Sequence, residues 1–399
     1  MLALTPRTTP PPLPKSSPQP AHSSQGGARD AAPARAPKAG SVLRRALVGL
    51  VALVIFAAGG AMLLDASIDR REESAAASLE GRARLAGVAS WGYQLQQLDV
   101  SQAAAAPHDL IVVDETLVGA GQDRANASDL TRLKRKPDGQ RRLVLSYLSI
   151  GEAEDYRSYW RTGWVAAAAS ETRTGSLAEP AVATSSAASR APLRLTMAEA
   201  DRPLHHPSSS APVWLGAENP EWRGNFVVRY WHPDWKAIMF GARDAALDRI
   251  IAAGFDGVYL DRADAYGQWR TERPTAKVDM IGFIGEIAAY ARLHKPGFLI
   301  VLQNAEELLS SQPLREALDG VAKEDLLYGI AGEGRENIKA DVDASLSYLR
   351  LARNDGMPVL VVEYIDDKAR MDKARLRIES EGFVPYFGPR LLNSLERNR

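Results

Sequence analysis

The chain predicts an α/β protein: a (β/α)8 barrel with an extra short strand, preceded by one N-terminal transmembrane helix and a disordered tail. Three observations lead there. Eight short apolar runs alternate with helical ones from residue 91 onward, most of them end on an acid or amide, and residues 46–64 carry no charge. Alternation of that kind and number favours a closed parallel barrel over an open sheet.

Residues 1–40 are rich in Pro, Ser, Ala and Gly and cannot bury enough apolar surface to offset chain entropy, which makes them a disordered tail. Within 41–65, the uncharged run Ala46 to Leu64 spans roughly 28 Å at about 1.5 Å per residue, close to the thickness of a hydrocarbon core. Lys38, Arg44 and Arg45 precede it, whereas Asp65, Asp69, Glu72 and Glu73 follow. The positive-inside rule then puts the N-terminus in the cytoplasm and the remainder on the outer side of the cytoplasmic membrane. The rival is a signal segment cut near the small residues Ala57 to Ala61, giving a secreted protein; the run exceeds the usual signal core, which favours the anchor. Residues 66–88 read as a charged, Ala-rich helical spacer.

The barrel is expected over 89–395. Its strands are Trp91 to Leu95, Asp109 to Asp114, Leu143 to Ser149, the run ending at Asp261, Phe298 to Leu302, Asp319 to Glu324, Pro358 to Tyr364 and Phe383 to Phe387, with Phe226 to Tyr230 as the extra one. A helix from Asp234 to Ala253 should stop at Gly254, a cap position that calls for positive φ. Further helices are expected at Val278 to Leu293, Asp341 to Arg353 and Met371 to Ser380. Residues 166–212, dominated by Ala, Ser, Thr and Pro without periodicity, interrupt the pattern as a low-complexity insertion.

Composition excludes several functions. Lys plus Arg equals Asp plus Glu at 49 each, so no charge bias points to nucleic acid. The chain has no cysteine, which removes thiol nucleophiles and zinc–thiolate sites, and its six histidines form no His-x-His or HExxH pattern. No metal or cofactor is expected.

The chemistry points instead to the strand ends. Asp114, Glu152, Asp261, Asn304, Glu324, Glu363 and Asp366 all follow or end strands, and a closed barrel gathers those ends at one mouth. Glycoside hydrolysis needs one carboxyl to protonate the leaving oxygen and another to attack or to activate water. With side chains alternating along a strand, an inward Asp261 shares its face with Gly257 and Tyr259, and an inward Glu324 shares its face with Gly320 and Ala322, small residues expected to leave room for ligand. The bland reading of Asp261 is a turn cap or a partner of Arg262. Trp91, Tyr93, Tyr147, Trp231, Tyr259 and Tyr266 are candidates to stack on sugars, with core packing as the ordinary alternative.

Trp91 to Gln96, Asp109 to Asp114, Tyr147 to Arg157, Phe255 to Tyr266, Gln303-Asn304, Lys323-Glu324 and Gly382 to Tyr386 together resemble the glycoside hydrolase family 114 type of TIM barrel, the endo-α-1,4-polygalactosaminidases and related glycosidases. The resemblance implies a catalytic pair on the fourth and sixth strands, here Asp261 and Glu324. By analogy with other α-glycosidase barrels, Asp261 is the nucleophile and Glu324 the general acid/base of a retaining reaction. Trp91, Tyr93, Asp114, Tyr147, Glu152, Trp231, Tyr259, Asn304 and Glu363 are expected around the substrate, a galactosaminogalactan-like or polygalactosamine-like carbohydrate polymer. The competing expectation is a non-catalytic, membrane-tethered polysaccharide-binding barrel.

Overall fold

A computed structural model describes residues 80–116, 126–166 and 203–395. The uncharged run at 46–64, the tail before it, the start of the spacer and most of the insertion lie outside those residues. Among the described residues no helix is long and apolar enough to cross a membrane.

Eight parallel strands follow one another around a near-closed barrel in chain order: β1 (Trp91–Gln94), β2 (Leu110–Val113), β3 (Leu143–Ser149), β4 (Gly257–Asp261), β5 (Leu299–Gln303), β6 (Gly320–Glu324), β7 (Val359–Glu363) and β8 (Val384–Phe387). The pleat sorts their side chains into two cores. Leu143, Leu145, Tyr147, Tyr259, Leu299, Val301, Leu360 and Val362 fill the barrel. Val144, Leu148, Val258, Leu260, Ile300, Leu302, Val359 and Val361 meet the surrounding helices. The seam between β1 and β8 is drawn together by the Trp91 indole N–H, which donates to the Val384 carbonyl at 3.0 Å. The chain after β8 also reaches back: Leu95 N–H and Gln96 N–H both donate to the Leu392 carbonyl, at 2.8 and 3.0 Å.

The described end of the spacer, helical at residues 80–86, packs under the barrel. Leu85 is buried in the interior cluster, while Arg82 donates to the Leu318 carbonyl at 3.2 Å and Arg84 to the Gly297 carbonyl at 2.6 Å. This plug changes the reading of the small residues. Gly320 lies over Leu85, and a Cβ on Gly257 would sit 2.3 Å from the Leu299 carbonyl oxygen, so Gly257 serves close strand packing and opens no space for ligand.

Two local expectations are also corrected. The single helix expected from Asp234 to Ala253 is two, Pro233–Met239 and Ala246–Ala253, because Gly241 and Asp244 take positive φ between them. The second does end at Gly254, with φ 102°. The extra strand, Asn225–Val228, is the middle of a three-stranded antiparallel sheet whose edges are Glu152–Glu154 and Leu215–Glu218. This sheet sits on the loop after β3, where the acids and aromatics of residues 152–160 lie.

The two ends of the insertion meet. Val165 bridges Pro207, Ser208 N–H donates to the Trp164 carbonyl at 2.8 Å, and His205 N–H donates to the Glu218 carboxylate at 2.7 Å. Replacing residues 167–202 with a short Gly-Ser linker should therefore leave the unfolding midpoint nearly unchanged. Extending the deletion through residue 210 removes those bonds and should cost about 2 kcal/mol by denaturant titration.

Candidate active site

The mouth is built where three neighbouring strands end and the chain turns outward. Arg262 after β4, Asn304 after β5 and Asp325 after β6 all have positive φ, at 61°, 54° and 53°. Holding such residues there costs on the order of 1 kcal/mol or more each, and the cost is borne at the positions that aim Asp261 and Glu324 inward. Tyr147, inward on β3, donates its hydroxyl to Asp261 Oδ2 at 2.9 Å. Tyr364, one residue past β7 and inward, donates to Glu324 Oε1. Asn304 donates Nδ2–H to Glu324 Oε2 at 3.0 Å, and its Oδ1 accepts the Glu324 backbone N–H at 3.0 Å.

Electrostatically the two carboxyls belong to one system. Burial first, and then the charge of Glu324, raise Asp261 from its ordinary 3.8 to about 7. Burial also raises Glu324, against the donors Tyr364 and Asn304, which stabilise its carboxylate. Below them Tyr93 and Tyr259, ring centroids 5.1 Å apart, feel both carboxylates and have their phenol pKa values pushed well up, chiefly by burial. Two carboxyls, both with raised pKa, share an apolar, aromatic-floored mouth, which is the environment that separates acid from base roles.

Several expected substrate contacts are spent on structure. Glu363 points out of the barrel, fully buried, and accepts the backbone N–H groups of Leu327 at 2.7 Å and Tyr328 at 3.2 Å, which ties down the loop after Glu324. Glu152 is also fully buried; its Oε1 accepts from Asn219 at 2.9 Å and pairs with Arg262 at 2.9 Å. The Arg262 ion pair therefore goes to Glu152, while its charge and its backbone N–H still favour the Asp261 carboxylate. Asp114 is saturated by the Arg157 guanidinium, at 2.9 and 2.7 Å, and by Thr116.

Trp91, Tyr93 and Tyr259 are at most 1% exposed, and uncovering rings of that size would forfeit roughly 2–3 kcal/mol each, so they form the floor beneath the site. Trp231 packs edge-on against Trp269 under the Arg273 guanidinium, in the outer aromatic layer. Of the expected binding residues, Tyr147 and Asn304 touch the pair. Tyr364 was missed because both faces of β7 are apolar, so its parity could not be read until one side was seen to fill the barrel.

The model of glycoside hydrolase family GH114 matches residues 195–398, which include both carboxylates. An uncharacterized protein of Deinococcus radiodurans is 33% identical over 323 residues, 79% of this chain and 85% of its own. The chain belongs to glycoside hydrolase family GH114. A second relative, an uncharacterized protein of Methanocaldococcus jannaschii, is 32% identical over 311 residues, 74% of each chain. The glycoside hydrolase domain of PelA from Pseudomonas aeruginosa shares the fold, with a TM-score of 0.50 at 19% identity over 77% of this chain and 98% of that domain. As a GH114 member the protein is a glycosidase, and its substrate is a carbohydrate.

The raised Asp261 pKa of this GH114 glycosidase has a consequence for stability. Between 3.8 and about 7 the folded protein holds a proton that the unfolded chain releases, so the contribution of this group falls as pH rises through that window. Asp261→Asn removes the charged form. Relative to the parent it should gain stability from pH 4 to pH 8, by on the order of 1–3 kcal/mol at the upper end. Parallel urea titrations at the two pH values measure this, and a gain independent of pH would contradict it.

Proposed function

We propose that the protein hydrolyses an α-linked amino-sugar polysaccharide, polygalactosamine-like or galactosaminogalactan-like, by a retaining mechanism with Asp261 as nucleophile and Glu324 as general acid/base. The observation that carries this reading is the pair itself: two inward carboxyls at the ends of β4 and β6, the charge of Glu324 helping to raise the pKa of Asp261, in a member of a glycosidase family. The amino-sugar class rests on the resemblance to the endo-α-1,4-polygalactosaminidases and on the acids around the mouth, which suit a polymer of protonated amines.

In the reaction the Asp261 carboxylate bonds to the anomeric carbon while Glu324 gives its proton to the departing glycosidic oxygen. Glu324 then takes a proton from water, and that water displaces Asp261 to release the sugar with its configuration retained. Tyr364 and Asn304 favour the ionised form of Glu324, against the burial that raises both acids. A substrate ammonium or a developing oxocarbenium ion beside Asp261 lowers its pKa, which favours the carboxylate this mechanism needs there. Tyr147 steadies the attacking carboxylate, and Tyr364 and Asn304 hold the acid in line.

Asp261→Asn and Glu324→Gln should each fold yet lose at least about a thousandfold in turnover. Azide should restore part of the Glu324→Gln activity on a substrate with a good leaving group, giving an α-glycosyl azide. Near-normal turnover in either variant, or a first product of inverted configuration, would sink the assignment.

We further infer that Ala46 to Leu64 anchors the protein in the cytoplasmic membrane with the barrel outside, on the strength of the uncharged run and its Arg44/Arg45 flank. Protease added to spheroplasts should then remove the barrel. Complete protection would reverse this topology, and a barrel found free in the medium would favour the cleaved, secreted alternative.

A further inference from the structure

Tyr156 and Trp222 are the exposed aromatics among the large exposed apolar side chains of the described residues, at 46% and 38%. They lie at the same end of the three-stranded sheet. Glu154 pairs with Asn225 across that sheet, Asp155 N–H donates to the Gly224 carbonyl at 2.9 Å, and Asn225 N–H donates to the Trp222 carbonyl at 3.1 Å. Tyr156 and Trp222 therefore flank one junction from its two strands.

That junction is continuous with the candidate active site. The Tyr156 hydroxyl donates to Glu154 Oε1 at 2.6 Å, and Arg157 joins Glu154, at 2.6 Å, to Asp114 at the end of β2. Tyr147, which donates to Asp261, has its phenol pKa pushed well up by burial and then by the charges of Asp261 and Glu154, so it lies within electrostatic reach of both.

Tyr156 is also held still. The Arg157 guanidinium lies 4.9 Å from its ring centroid and its hydroxyl is tied to Glu154, yet nearly half of the residue faces solvent. An exposed aromatic fixed at both ends has little rotamer freedom left to lose when a ligand covers it.

We propose that Tyr156 and Trp222 form a polysaccharide platform on the β2–β3 side of the mouth, stacking on sugar units that flank the one held between Asp261 and Glu324. The C–H face of a pyranose matches an aromatic face, and a protonated amino group near the ring adds a cation–π contribution. This deepens the reading of the enzyme as an amino-sugar polysaccharide hydrolase and rests on it for the identity of the sugar.

The test uses the full chain and three substitutions: Tyr156→Ala, Tyr156→Phe and Trp222→Ala, with the Ala double variant. Affinity electrophoresis through gels containing α-1,4-polygalactosamine gives Kd without turnover, and hydrolysis of α-1,4-galactosamine oligomers of two to eight units gives kcat/KM. Each Ala substitution should weaken binding about three- to tenfold, and the loss in kcat/KM should grow with oligomer length and appear mainly in KM. Tyr156→Phe keeps the ring and should bind within about twofold of the parent. Trp222→Ala leaves the Arg157 network in place, so its loss reads stacking and not disturbed folding.

Unchanged Kd in the double variant overturns the platform, as does a loss from Tyr156→Phe equal to that from Tyr156→Ala, which would assign the effect to the hydroxyl network. A parent chain that the polymer does not retard also overturns it. A parent that is retarded but cleaves nothing would sink the proposed hydrolysis and leave the platform standing.

Discussion

Two carboxyls cannot share an apolar barrel mouth unless their charge is met by donors, and the arrangement around Asp261 and Glu324 follows from that constraint. Each donor must come from an inward position on a neighbouring strand or from a strand end bent back over the mouth. Tyr147 on β3 meets Asp261; Tyr364 past β7 and Asn304 past β5 meet Glu324. Positive φ at Asn304 is what lets one side chain both receive the Glu324 backbone N–H and donate to its carboxylate. The donors are fewer than full ionisation of both acids would need, so burial prevails at Asp261 and its pKa climbs to about 7.

Around this pair stands a shell of acids held by partners from distant parts of the chain. Asp114 is held by Arg157, Glu152 by Arg262 and Asn219, and Glu363 by two backbone N–H groups. Their role is to fix the loops after β2, β3, β4 and β6, and each loop carries or abuts a residue of the site. What separates them from Asp261 and Glu324 is direction: the pair points into the barrel mouth, whereas Glu363 points out of the barrel and Asp114 and Glu152 are bound up with Arg157, Arg262 and Asn219. A carboxylate saturated by a buried guanidinium has no reason to give up that pairing for a sugar, since breaking a buried ion pair costs several kcal/mol.

The barrel below is stiffened by aromatic packing. Trp91 meets Tyr93, Tyr259 and Tyr386 at centroid distances of 6.3, 6.3 and 5.5 Å, and its indole N–H helps hold the seam between β1 and β8. Leu85 closes the opposite end from outside the eight-strand repeat. A floor of this kind lets the mouth hold strained turns and under-paired acids without collapsing around them.

By itself the sequence determined the order of strands and helices, the end of the barrel that carries the acids, and the candidate pair at Asp261 and Glu324. These depend on features local along the chain: apolar runs of strand length, a glycine cap at Gly254, acids at strand ends, and motifs that resemble one family. Only the tertiary structure decided which acids are free. Partners that hold Asp114, Glu152 and Glu363 include Arg157, Asn219 and Leu327, 43, 67 and 36 residues away along the chain, too far for any local pattern to reveal. It also decided the parity of β7, whose two faces are equally apolar in sequence, and so exchanged Glu363 for Tyr364 in the site. Aromatic residues followed the same rule: composition marks them as able to stack on sugars, but burial against other rings, set by strand neighbours across the barrel, leaves Trp91 and Tyr259 in the core and Tyr156 in the open.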